Sequence, residues 1–135
     1  MTINSVWGQT DRPVEFVWEE GYNTGKSGIA KSIAGQTSSF IPVSPGDLIE
    51  YKILARGNWA ALAFYDENQQ WIQSMNESTW MNDRPFREQD YCAGVVTVPE
   101  GCAFVRISRF KPSYTGKYVL TDQVKSQYVW FHDGN

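Results

Sequence analysis

The sequence predicts an all-β domain, a β-sandwich or barrel, on three observations. Apolar residues recur with a period of two in short bursts, the spacing of strands that bury one face. Turn residues fall between the bursts at short intervals, as antiparallel sheets require. No stretch of ten or more residues carries a helical stripe of apolar positions. A length of 135 residues suits a single domain with a core of its own.

Taken in chain order, "VEFVW" (14–18), "GIAKSIA" (28–34) and "SSFIPV" (38–43) are the first strand candidates. "LIEYKILA" (48–55) follows and alternates cleanly, with Ile49, Tyr51 and Ile53 on one face and Glu50 and Lys52 on the other. "WAALAFYD" (59–66) is apolar on both faces, which predicts a central strand covered on both sides. "QWIQSM" (70–75) pairs with it as a hairpin across the polar tip "DENQ" (66–69). "VVTV" (95–98) and "CAFVRISRF" (102–110) come next; in the latter Val105 and Ile107 oppose Phe104, Arg106 and Ser108. "KYVLT" (117–121) is the last candidate. Pro and Gly mark corners at "SPGD" (44–47) and "PEG" (99–101), and "ARGN" (55–58) is a further one. A single helical turn within 82–90 or 121–128 is the most helix this pattern offers. The aromatic terminus "YVWFHDGN" (128–135) must dock somewhere, either closing the sandwich or packing on another copy of the chain.

Composition narrows the function. A net charge of −3 and a pI near 5.1 argue against nucleic acid and against an anionic membrane surface. No apolar run approaches the ~20 residues of a membrane-spanning helix, and "MTINSVWGQT" lacks the basic and apolar regions of a signal peptide. The expectation is a protein that stays in the cytosol or leaves by lysis. Cys92 and Cys102 are too few for a disulfide framework and read as two free, partly buried thiols. With one histidine, His132, and no ligand spacing, no metal or other cofactor is expected. Aromatic residues reach 15% of the chain, including six tryptophans, so some rings should lie at the surface.

The stretches "SSFIPVSPGDLIEYKILARGNWAALAFYDENQQWIQ" and "GVVTVPEGCAFVRISRF" give, in order, an "IPVSPGD" corner, a strand, an "AFYDEN" hairpin, a "WI", a "TVPEG" corner and a "VRIS" strand. With the preceding "WEEGYNTGKSGIAKSIA", this pattern resembles the small jelly-roll modules of phage tail fibres, tail spikes and related receptor-binding proteins, also found on bacterial surface proteins. The resemblance spans roughly residues 18 to 110. It implies a single-domain antiparallel β-sandwich of jelly-roll type, a place in a virion, binding of a bacterial surface glycan, and an oligomer such as a trimer or contact with other tail proteins. The chain departs from the pattern by an insertion at about 76–92 and an extension at about 117–135.

A sugar offers a C–H face that stacks on aromatic rings and hydroxyls that need forked donors and acceptors. The inserted "STWMNDRPFREQDY" (78–91) supplies that mix: Trp80 as platform, Asp83 for hydroxyls, and Arg84 and Arg87 as clamps suited to an acidic sugar. The alternative is a loop that folds over the sandwich, burying Trp80 and pairing its own charges. Trp59 and Trp71 flank the hairpin tip, and Trp59, Ala61, Ala63 and Tyr65 share a strand face. That face is either a shallow sugar trough or room left for packing. Arg106 is a second clamp if its face is open, and an ion-pair partner of Glu50 if it is not. Trp18, Glu19, Glu20 and Tyr22 read as framework. The acidic residues form no catalytic motif, no GxSxG is present, and one terminal histidine makes a triad improbable. The expected function is therefore a non-catalytic, receptor-binding glycan module. A virion assembly protein using exposed aromatics is the alternative, and a polysaccharide hydrolase the third.

Overall fold

The computed structural model describes residues 2–3, 17–25, 28–53, 62–75, 92–110 and 127–134. These residues form ten strands and no helix: β1 (Thr2–Ile3), β2 (Val17–Gly25), β3 (Gly28–Ser38), β4 (Ile41–Pro42), β5 (Leu48–Ile53), β6 (Leu62–Tyr65), β7 (Trp71–Met75), β8 (Cys92–Thr97), β9 (Phe104–Phe110) and β10 (Tyr128–His132). They pair antiparallel into two sheets. The larger runs β1-β2-β3-β9-β6-β7, with β4 also on β9; the smaller runs β10-β5-β8. The result is a β-sandwich-like all-β fold. This strand order does not by itself trace the paired Greek keys of a jelly roll.

Period-two alternation decides which side chains go inside. On β5, Ile49, Tyr51 and Ile53 are buried while Leu48 is exposed. β10 supplies Val129 and Phe131 beside them, and β9 and β6 supply Val105, Ile107, Leu62 and Phe64, all at 0% exposure. Each such side chain contributes about 1.5–3 kcal/mol by leaving water. β6 is buried at all four positions, as expected of a strand covered on both faces, and lies between β9 and β7.

The corners follow from their residues. Asp47 N–H donates to Ser44 O at 3.0 Å, with Pro45 and Gly46 between them and Gly46 at φ +94°, the geometry of a Pro-Gly type II turn. Gly101 at φ +81° turns "PEG" in the same sense. At the β6–β7 tip, Asp66 Oδ1 accepts from Asn68 N–H (2.8 Å) and Gln70 N–H (2.9 Å), an Asx arrangement that holds Gln69 at φ +61°.

Asp47 also ties the C-terminal segment down. Its Oδ2 accepts from Ser44 N–H and its Oδ1 from Gly134 N–H, both at 3.0 Å. The approach requires a glycine, since a Cβ at Gly134 would stand 2.6 Å from Gly46 O. Asp47→Ala should cost about 1–3 kcal/mol, because two charge-assisted acceptors are lost at once. Asp47→Asn should recover less than half of that, having one oxygen for two N–H donors. Urea midpoints of the three proteins check the order; an Asn variant as stable as wild type would contradict it.

One element differs from the sequence expectation, and a second takes one of the two places that expectation left open. β2 does not end at Trp18 but runs on through "EEGYNTG" to Gly25. That segment lacks apolar alternation, and it is strand because β3 pairs along it, with a register shift between Glu20 and Tyr22. "YVWFH" is a full strand: β10 pairs with β5 from Tyr128↔Lys52 to His132↔Leu48 and so closes the smaller sheet. "KYVLT", "ARGN", most of the insertion at 76–92 and nearly all of the two helical-turn candidates lie outside the described residues, as do 14–16 of "VEFVW" and 59–61 of "WAALAFYD".

Candidate functional site

Residues opposed across an antiparallel ladder share a face of the sheet. In the larger sheet Thr37 opposes Ser108, Ala63 opposes Arg106, and Tyr65 opposes both Phe104 and Trp71. These residues therefore line the face opposite Val105 and Ile107. Unlike the core face it is polar at its centre. The Thr37 and Ser108 hydroxyls share a hydrogen bond of 2.9 Å.

Arg106 is buried, 6% exposed. Its Nε donates to Ser38 O and its Nη2 to Glu19 Oε1, each at 2.9 Å. Its guanidinium carbon lies 4.6 Å from the centre of the Phe40 ring, a cation–π contact. Phe40 in turn meets Tyr65 and Phe104 edge to face, at 5.0 and 5.8 Å between centroids.

Tyr65 sits among these groups at 5% exposure, and its Oη has no hydrogen-bond partner among the described residues. Burial raises the phenol's pKa above its ordinary value, and the nearby Arg106, through its charge and its hydrogen bonding, draws it partly back. Arg106 is thus the polar group nearest in effect to the phenol. A buried hydroxyl in this condition costs free energy until something bonds to it.

Trp71 faces Tyr65 across the β6–β7 ladder and is 38% exposed. The register shift there puts Trp71 and Ser74, three apart in sequence, on one face. Trp71 Nε1 donates to Ser74 Oγ at 2.9 Å, which fixes the indole's orientation. Exposed Glu67, Asn68, Gln69 and Gln70 border it at the hairpin tip. An apolar ring in water with polar side chains at its margin can hold a polyhydroxylated ligand.

Of the eight residues singled out in the sequence, the structure brings Tyr65, Trp71 and Arg106 onto one face. Trp59, Trp80, Asp83, Arg84 and Arg87 lie outside the described residues. Arg106 is not an open clamp, since two of its donors serve Ser38 and Glu19. Nor is its partner Glu50, which lies on the smaller sheet with its Oε1 3.5 Å from His132 Nε2. Glu19 is the partner because β2, β3 and β9 run side by side in one sheet, Glu19 opposing Thr37 and Thr37 opposing Ser108. Ala63 is buried at 0% and stands opposite Arg106, while Trp59 and Ala61 of the same strand face lie outside the described residues. Phe40 is the participant that sequence reasoning missed. As one apolar residue among "SSFIPV" it carries no local sign of a contact with Arg106.

Trp18 is buried, as framework should be, and Arg109 stacks over its ring at 4.0 Å. Cys102 is a buried free thiol that donates to Phe104 O at 3.2 Å, and burial raises its pKa. Among the described residues, no group of three or more His, Cys, Asp or Glu is placed to hold a metal. Comparison of the chain with family models, with curated proteins and with solved structures returned no match.

Proposed function

We propose that the chain is a non-catalytic glycan-binding module. The observation that carries this reading is the exposed, orientation-locked Trp71 ring bordered by the exposed polar side chains of the hairpin tip. The indole face stacks on sugar C–H groups, and the Asn68, Gln69 and Gln70 side chains reach the hydroxyls. The resemblance of the "IPVSPGD", "AFYDEN" and "TVPEG" pattern to phage tail modules supports a bacterial surface polysaccharide as ligand and a virion as setting.

Glycan-array binding followed by titration of the best ligand tests this on wild type, Trp71→Ala and Tyr65→Phe. Trp71→Ala should weaken binding about tenfold, the loss of a stack worth ~1.4 kcal/mol. Tyr65→Phe, which alters a hydroxyl with no access to solvent, is the control and should leave binding unchanged. Absence of glycan binding by the wild type, or wild-type affinity in Trp71→Ala, would sink the proposal.

A further inference from the structure

Asp133–Gly134 is the only Asp–Gly step in the chain, and the chain has no Asn–Gly step. An Asp–Gly step carries a chemistry of its own. The glycine amide nitrogen, once it gives up its proton, attacks the aspartate Cγ, because glycine has no side chain to stand in the way. An N–Cγ bond forms, and the carboxyl hydroxyl leaves as water together with the amide proton. The product is a five-membered succinimide. Water then opens the ring at either carbonyl. Breaking the new N–Cγ bond restores aspartate; breaking the original bond between Asp133 C and Gly134 N gives isoaspartate. One water leaves and one returns, so the step needs no oxidant, reductant or co-reactant.

Both residues are exposed, so water reaches them. The nucleophile, however, is held. Gly134 N–H donates to Asp47 Oδ1 at 3.0 Å. Asp47 is 6% exposed, and Ser44 N–H holds its Oδ2, also at 3.0 Å. The Asp47 backbone is fixed as well: its N–H donates to Ser44 O at 3.0 Å, and its carbonyl accepts from Val98 N–H at 2.8 Å. Gly134 also packs on Gly46 O, so closely that a Cβ at Gly134 would stand 2.6 Å from it. Two consequences follow from this clamp. A succinimide nitrogen bears no hydrogen, so ring closure consumes the very N–H that Asp47 holds. The attacking form is an amide anion, and its charge would develop 3.0 Å from a carboxylate oxygen, which repels it.

We infer that Asp133 is a site of succinimide-mediated isomerisation and that Asp47 is the positioning residue that restrains it. A charge-assisted hydrogen bond of this kind slows the step by about tenfold or more. The isoaspartyl chain runs through Cβ and is one atom longer. Its Gly134 N–H no longer meets Asp47, so the C-terminal anchor is lost once the step has occurred.

The test is incubation at neutral pH, with isoaspartate at residue 133 followed by peptide mapping and by enzymatic methylation of isoaspartyl groups. Wild type should isomerise at least about tenfold more slowly than a capped peptide of sequence "FHDGN". Asp47→Ala should recover most of that difference. Asp47→Asn, which keeps an acceptor without the charge, should fall between. Arg106→Met lies away from the clamp and should keep the wild-type rate despite its lower stability. The isomerised wild-type protein, separated by chromatography, should unfold near the urea midpoint of Asp47→Ala. A wild type as fast as the peptide overturns the inference, and this comparison needs no variant to fold. Asp47→Ala at the wild-type rate, or Arg106→Met as fast as Asp47→Ala, overturns it equally, the latter because general loosening would then explain the rate. An isomerised protein with the unmodified midpoint would contradict the loss of the anchor. None of these outcomes depends on glycan binding.

Discussion

Phe131→Ala should destabilise the domain by about 3–5 kcal/mol, the cost of emptying a large core site. Phe131 is 0% exposed and lies on β10, opposite Ile49. Its removal takes away the ring's transfer free energy and leaves a cavity beside Ile49, which neighbours held by β-sheet hydrogen bonds cannot fully close. A loss of that size is a large part of the ~5–15 kcal/mol that holds a domain folded. It corresponds to a fall in Tm of roughly 10–20 °C for a chain of this length. Trp130→Ala is the internal control. It alters the next residue of the same strand, but on the half-buried outer face, and should cost only about 1 kcal/mol through its stack on Tyr128. Urea unfolding of both variants decides the matter. If Phe131→Ala cost no more than Trp130→Ala, β10 would not be a core strand.

Arg106→Met should cost about 2–4 kcal/mol. Methionine keeps the apolar stem but loses the cation–π contact with Phe40 and the donor to the buried Ser38 carbonyl. Loss of the ion pair adds little, because the Glu19 side chain is 55% exposed and regains water. Glu19→Gln is the gentler change at about 1 kcal/mol, since the amide oxygen still accepts from Nη2 while the buried guanidinium loses its counter-charge. The order Arg106→Met above Glu19→Gln is the prediction, checked by denaturant midpoints. Equal costs would mean that the arginine's contacts with Ser38 and Phe40 contribute nothing beyond the ion pair. A double-mutant cycle then isolates the coupling between the two side chains.

The local features of this fold were legible in the amino-acid order. Ile49, Tyr51 and Ile53 on β5, and Val105 and Ile107 on β9, alternate with polar neighbours, and alternation alone sends them inward. "SPGD" and "PEG" turn where they do because Gly46 and Gly101 adopt positive φ at no steric cost. The hairpin and the place of Trp71 beside its tip were equally visible, because a hairpin relates near neighbours.

Features set by pairing were not legible. "EEGYNTG" has no strand pattern and becomes strand only where β3 supplies its hydrogen bonds. "YVWFH" alternates as well as β5 does, but five residues at a chain terminus do not reveal which strand will receive them, and the answer, β5, lies some 80 positions earlier. Arg106 illustrates the same division at the candidate site. That it shares a face with Phe104 and Ser108 follows from a period of two. That its partner is Glu19, 87 residues away, rather than Glu50 follows from the order β2-β3-β9 within one sheet, with Glu50 placed in the other. Periodicity is a property of each strand alone, so the sequence determined which side of its strand each residue occupies. Strand order and register are properties of the whole chain's packing, so only the tertiary structure decided which residues meet on that side.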